Sequence, residues 1–297
     1  MNNFADKLIE SIRNKKSCVC VGLDPKLDLM PQEIVHKCEG LNYEPRLQAS
    51  AAIEEFCKTI INIVADDVVA IKPQSAFYEQ YGWYGLQVLE KIMYHAKEKG
   101  LIVILDVKRS DIASTAEAYA NAYFKTKGAY ADAITVNPYM GSDSMEPFIK
   151  VAKEENKGIF VLLKTSNPGS KDFQDVMLQD GKKLYELIAE KIEVLGKPLM
   201  GKKGYSSIGA VVGATFPQEA KNIRELLPKT IFLVPGYGAQ GAKAEDLKAY
   251  FNNDGTGAII NASRSIIYAY KNPQEKNWQD AVKYAVREMN TQINNIR

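Results

Sequence analysis

Residues 101–115 read LIVILDVKRSDIAST, five apolar residues running without a break into Asp106, Lys108, Arg109 and Asp111. A short, continuously apolar run is what a parallel strand looks like when helices cover both of its faces, because neither face then needs polar residues. The stretch that follows, 114–127, has helical spacing, so the unit is a strand, a charged turn and a helix, with Ser114 expected as the helix N-cap. Working outward, the same kind of run recurs seven times: SCVCVGL from Ser17, VVAI from Val68, AITV from Ala133, IFVLL from Ile159, IGAVVG from Ile208, IFLV from Ile231 and GAIIN from Gly257. Helical spacing fills 85–99, 144–155, 181–195, 218–227 and 244–251, with a further helix before the first run (4–15) and one after the last (278–295). Eight such units predict an α/β fold, a (β/α)8 TIM barrel, rather than the alternative of an open doubly wound sheet. Two connections are long: 24–67, which carries helical patterns at 31–37 and 49–64, and 165–205. No linker composition or repeat interrupts the pattern, so residues 1–297 are expected to form one domain with an extra N-terminal helix and long loops after strands 1 and 5.

Hydrophobic residues make up 46% of the 297 and charged residues 25%, which supports a large core and argues against disorder. Lys plus Arg number 38 against 36 Asp plus Glu, a net charge of +2. That balance gives no reason to expect nucleic acid or a membrane surface as partner, so any anionic ligand must be held by local groups. The N-terminal MNNFADKLIESIRNKK lacks the apolar centre of a secretory signal, and a cytoplasmic location is expected. Cys18, Cys20, Cys38 and Cys57 contain no Cys-x-x-Cys pair and read as reduced core residues. His36 and His95 lie on helical stretches away from carboxylate clusters, so neither metal binding nor histidine catalysis is expected.

In a (β/α)8 barrel the chemistry sits where strands end, and here the strand ends are rich in polar groups. Asp24 follows the first run, Lys72 the second, Asp106, Lys108 and Asp111 the third, Lys164 and Ser166 the fifth, Pro235 the seventh and Arg264 the eighth. Alternation along a strand points Asp106 and Lys108 the same way. With Lys72 and Asp111 they make an expected array of two ammoniums and two carboxylates, nearly neutral and able to survive partial burial. The loop after the seventh run spells Gly236-x-Gly238-x-x-Gly241, but the next strand ends in Asn261, Ala262, Ser263 and Arg264, without the carboxylate a dinucleotide site would use. A phosphate site fits better, with loop N–H groups and the two-pronged Arg264 as donors. A flexible turn beside a surface arginine is the plain alternative. GKPLMGKK at 196–203 lacks the Ser or Thr of a P-loop and reads as a mobile basic loop.

These pieces together resemble the orotidine 5′-phosphate decarboxylase family over nearly the whole chain: GLDP at Asp24, IKPQ at Lys72, Asp-x-Lys-x-x-Asp-Ile from Asp106 to Ile112 with Thr115 beyond, TSNPG at Ser166, PGYGAQG from Pro235, and SRS at Arg264. Length and the long first connection resemble the longer bacterial subgroup. The resemblance implies decarboxylation of orotidine 5′-monophosphate to uridine 5′-monophosphate in de novo pyrimidine biosynthesis, without a cofactor or metal. It implies Lys108 as the acid that protonates C6, with Lys72, Asp106 and Asp111 completing the charged array. Asp24 and Lys72 would hold ribose hydroxyls, Ser166 the base, and Pro235 would line its pocket. Gln240 and Arg264 would grip the phosphate, with Gly238 and Gly241 in the loop around it. Asp111, Ile112 and Thr115 would reach into the neighbouring subunit's site, which implies a homodimer. A metal-dependent relative acting on a phosphorylated keto-sugar, and a non-catalytic phosphate-ligand binder, are the rival readings. The first would favour a carboxylate where Lys72 stands, and the second has no use for clustered buried charges.

Overall fold

A computed structural model describes residues 3–39, 44–238, 241–271 and 277–297. Eight parallel strands close into a barrel in sequence order: β1 (Val19–Leu23), β2 (Ala70–Pro73), β3 (Ile102–Arg109), β4 (Ala133–Val136), β5 (Gly158–Lys164), β6 (Ser206–Val212), β7 (Thr230–Pro235) and β8 (Ala258–Ala262), which pairs with β1. The barrel expectation therefore holds, and the open sheet is excluded. The helices are α1 (Phe4–Lys15), α2 (Gln32–Glu39), α3 (Pro45–Val64), α4 (Ala76–Glu79), α5 (Gly82–Glu98), α6 (Ala113–Phe124), α7 (Ser142–Glu154), α8 (Lys171–Gln174), α9 (Leu184–Gly196), α10 (Pro217–Leu226), α11 (Arg264–Ile267) and α12 (Trp278–Asn294).

The strand interiors are buried almost throughout, as their unbroken apolar runs require. The N-terminal end of the barrel is plugged by α1. Phe4 packs edge-on against Phe160 with ring centroids 5.9 Å apart, and a side chain in place of Gly158 would put its Cβ 2.2 Å from the Phe4 ring. Closing that end leaves the opposite rim for ligands.

Several local expectations change. Helix α6 starts at Ala113, the residue before it makes no side-chain cap, and Ser114 is exposed inside the first turn, so Ser114 is not the N-cap. Helix α3 begins four residues earlier than its apolar spacing suggested, because Pro45 suits the first helical position, where no N–H donor is needed. The helix expected at 244–251 is a 3-10 turn, Glu245–Tyr250. The basic loop at 196–203 is held down: Asp6 of α1 accepts hydrogen bonds from the backbone of Lys202 (3.0 Å) and Lys203 (2.7 Å). Cys18, Cys20, Cys38 and Cys57 are all free and buried, and burial pushes the thiols of Cys18, Cys20 and Cys57 up to about 12, which leaves them unreactive. Among the described residues no helix is long and apolar enough to cross a membrane.

Candidate active site

At the C-terminal rim the neighbouring strands β2 and β3 bring three charges together. Lys72 Nζ donates to Asp106 Oδ2 at 2.7 Å, and Lys108 Nζ donates to Asp106 Oδ1 at 2.6 Å. Lys72 and Asp106 are buried, whereas the Lys108 side chain is 45% exposed and faces the opening. Burial alone would push the Asp106 carboxyl up, but the ammoniums of Lys72 and Lys108 outweigh it and hold the group well below the usual carboxylate range. Burial likewise works against the charge on Lys72, and Asp106 followed by Asp24 overcomes it and raises this lysine above its ordinary value. Lys72 and Asp106 are thus built to stay ionised at the wall of a largely apolar mouth.

The strand does not deliver Lys108 by simple alternation. Its backbone sits at φ +45°, in the left-handed region, where the pairing of β3 with β4 slips between Leu105 and Arg109. A lysine there is strained by roughly 1–3 kcal/mol and needs its surroundings to hold it. Thr135, buried on β4, does so. Its Oγ1 accepts from the backbone N–H of Val107 (3.0 Å) and of Lys108 (2.8 Å) and donates to Asp106 Oδ1 (2.9 Å). One hydroxyl therefore fixes both the lysine backbone and the carboxylate it faces. The sequence reading missed Thr135 because a threonine inside AITV is an ordinary strand residue.

Lys72, Asp106, Lys108 and Thr135 line one side of a cavity of about 570 Å³. Ser166 and Pro235 line it as well, together with Asn137, Tyr139, Phe173 and the apolar side chains of Leu162, Val211 and Leu233. A polar, charged wall facing an apolar one suits a flat heterocycle bearing a charge at one edge. Asp24 stands half-buried beyond β1, and its Oδ1 is shielded from solvent without a hydrogen-bond partner, an acceptor left open for a donor such as a hydroxyl.

The expected four-charge array is incomplete within one chain. Asp111 lies in the loop after β3, where its Oδ1 accepts from the Ile112 N–H at 2.8 Å; it makes no ion pair among the described residues and is not part of the cavity wall. Ile112, 51% exposed, and Thr115 face outward on the same segment.

On the other side of the mouth Gly236, Gly238 and Gly241 take φ of +104°, +72° and +92°, conformations that side-chain-bearing residues rarely adopt. Gly238 also lies close to Ser265: a Cβ there would be 3.1 Å from the serine Oγ. The loop is thereby brought against the segment holding Arg264, which is exposed and makes no ion pair among the described residues. Gly238 and Gly241 line a second cleft, beside α12, rather than the charged cavity. Gln240 lies outside the described residues.

A closed barrel with a lysine–aspartate–lysine chain lining a cavity at its C-terminal rim has the layout of a barrel enzyme that acts on a small ligand. Residues 17–277 match the model of the orotidine 5′-phosphate decarboxylase / HUMPS family. The chain is 43% identical to an orotidine 5′-phosphate decarboxylase from Caldicellulosiruptor bescii, covering 99% of both chains, and 45% identical to one from Clostridium botulinum strain Langeland, covering 96% of both. The solved structure of Leishmania donovani OMP decarboxylase superposes with a TM-score of 0.77 at 35% identity, covering 99% of this chain and 98% of the other. The chain belongs to the orotidine 5′-phosphate decarboxylase family, and it is an enzyme of the carboxy-lyase type.

Proposed function

We propose that this chain converts orotidine 5′-monophosphate to uridine 5′-monophosphate without a cofactor, with Lys108 as the proton donor. The observation that carries this reading is the buried Asp106 held between Lys72 at 2.7 Å and Lys108 at 2.6 Å on the wall of the cavity. Loss of CO₂ breaks the bond at C6 and leaves its electron pair in the ring plane, where the π-system delocalises it poorly. The charge must be met electrostatically. Asp106 would face the substrate carboxylate, and two anions about 4 Å apart repel by roughly 4 kcal/mol at an effective dielectric near 20. Enzymatic accelerations correspond to roughly 8–23 kcal/mol, so most of the effect must come from transition-state stabilisation. The Lys108 ammonium supplies it, attracting the developing charge and then passing its proton to C6, after which the neutral amine recovers a proton from water.

The remaining roles are those the family resemblance implies. Lys72 and the open acceptor of Asp24 receive the ribose hydroxyls, Ser166 meets the base and Pro235 lines its pocket. Arg264, with Gly238, Gln240 and Gly241, takes the phosphate, whose binding energy helps offset desolvation of the charged wall. The exposed segment of Asp111, Ile112 and Thr115 reaches the site of a second copy, so that a homodimer completes the four-charge array. The whole chain acts as one catalytic domain, in the cytoplasm, within de novo pyrimidine biosynthesis.

The test is incubation of EDTA-treated protein with orotidine 5′-monophosphate, followed in the ultraviolet. The reading predicts loss of the orotate chromophore with one uridine 5′-monophosphate formed per substrate consumed. An unchanged spectrum would overturn it.

A further inference from the structure

Beyond the charged cavity, the C-terminal end of β5 holds another ion pair. Lys164 is completely buried, and its Nζ donates to Asp175 Oδ1 at 2.6 Å. The same ammonium lies 4.6 Å from the ring centroid of Phe216 and 5.5 Å from that of Tyr185. A buried ammonium is costly even when paired, and an apolar residue of similar size would fill this place more cheaply, so the pair calls for a reason other than stability.

The reason lies in what the lysine joins. Asp175 directly follows α8, Tyr185 belongs to α9, and Phe216 sits in the turn after β6. The chain leaves β5 at Thr165, passes Ser166, forms α8, and returns so that Asp175 meets the lysine one residue before the loop began. Gln174 fastens the same circuit: its Oε1 accepts from the Thr165 N–H at 3.0 Å and its Nε2 donates to Thr165 Oγ1 at 2.9 Å. Inside that circuit Ser166 is pressed against the chain just after β6, where a Cβ on Gly213 would lie 2.8 Å from the serine Cβ. Thr165, Ser166, Phe173 and Gln174 all face the cavity, whereas Lys164 and Asp175 do not line it.

We propose that Lys164 is a positioning residue, which through Asp175 holds the Ser166-bearing wall of the cavity in the conformation that receives the base of the nucleotide. The inference rests on the proposed function for the identity of that ligand. Without the pair, the loop spends most of its time in other arrangements, and the apparent affinity falls by the fraction of time it is competent. The phosphate corner, on the far side of the mouth, is untouched.

Calorimetric binding of uridine 5′-monophosphate and of ribose 5-phosphate, which lacks the base, to wild type, Lys164→Met, Asp175→Asn and the double variant tests this. If the loop is competent about a tenth of the time, uridine 5′-monophosphate binds about tenfold more weakly while ribose 5-phosphate changes less than about twofold. The double variant then costs no more than Asp175→Asn alone, because Lys164 acts through Asp175, whose other cation, Lys183, stands farther off at 3.8 Å. Asp175→Asn, at the partly exposed end of the pair, carries the test where Lys164→Met does not fold. Equal weakening of both ligands, or no weakening of either, would overturn the proposal. Because the readout is binding, a wild type that binds the nucleotide yet leaves orotidine 5′-monophosphate intact would overturn the decarboxylase reading alone.

Discussion

Replacing Thr135 with valine keeps the shape of the side chain and removes only its hydroxyl. The Oγ1 takes part in three hydrogen bonds, from Val107 N at 3.0 Å, from Lys108 N at 2.8 Å and to Asp106 Oδ1 at 2.9 Å. Thr135 and Val107 are buried, so water does not readily replace what is lost. An orphaned buried donor costs about 1–3 kcal/mol, and with two N–H groups released the variant should lose about 2–4 kcal/mol of stability. The catalytic effect should be larger than a stability change alone produces. With its N–H free, Lys108 relaxes from φ +45° toward ordinary strand geometry and carries its ammonium off the axis of the cavity. A displacement of about 1 Å can cost on the order of 100-fold in turnover. Urea unfolding gives the first quantity and initial rates at saturating orotidine 5′-monophosphate the second. Thr135→Ser, which keeps the hydroxyl, should restore most of both. A valine variant with wild-type stability and turnover would refute the argument that this hydroxyl sets the lysine.

Arg264→Ala should raise KM by about 10- to 100-fold, the worth of charge-assisted hydrogen bonds to a phosphate, and an unchanged KM would show the phosphate site to be misplaced. The pH dependence of stability follows from the paired charges. Asp106 is depressed in the fold, so its contribution is complete above the ordinary carboxyl value of 3.8 and is lost as pH falls below it; Lys72 is raised, so its contribution is complete below 10.5 and is lost as pH climbs past that value. Urea midpoints measured against pH should therefore fall more steeply in acid for the wild type than for Asp106→Asn, and parallel curves would contradict the assignment. At the opposite end of the barrel, Arg224 donates to the carbonyls of Leu227, Thr230, Tyr250 and Gly257, each at 2.8 Å, with its guanidinium 3.6 Å from the centroid of the Phe232 ring. Arg224→Met leaves those four carbonyls without their donor and, at about 1–3 kcal/mol for each orphaned buried group, should destabilise the fold by at least about 3 kcal/mol by calorimetry while the folded fraction keeps its turnover.

The barrel was legible because buried parallel strands leave unbroken apolar runs, and eight of them stand between helical stretches. The charged wall was legible for a related reason: Lys72, Asp106 and Lys108 abut apolar runs, where charge needs an explanation. What the sequence concealed depends on backbone geometry. Nothing in DVKRSD shows that Lys108 adopts a left-handed φ, that Asp111 does not line the cavity with Asp106 and Lys108, or that helix α6 starts before Ser114. Thr135 and Asp175 acquire their roles only through contacts across strands and loops, and their local sequences carry no mark of them. Lys164 was visible as a charge at the end of β5, but its partner, eleven residues later, was not.

The central claim is that the Lys108 ammonium, fixed against Asp106, stabilises the charge at C6 and protonates it. Turnover of orotidine 5′-monophosphate by Lys108→Ala, beside its calorimetric affinity for uridine 5′-monophosphate, tests this most directly. The account predicts a folded protein that still binds the nucleotide and turns over at least about 10²–10⁴-fold more slowly. A variant that binds and decarboxylates at the wild-type rate would contradict it.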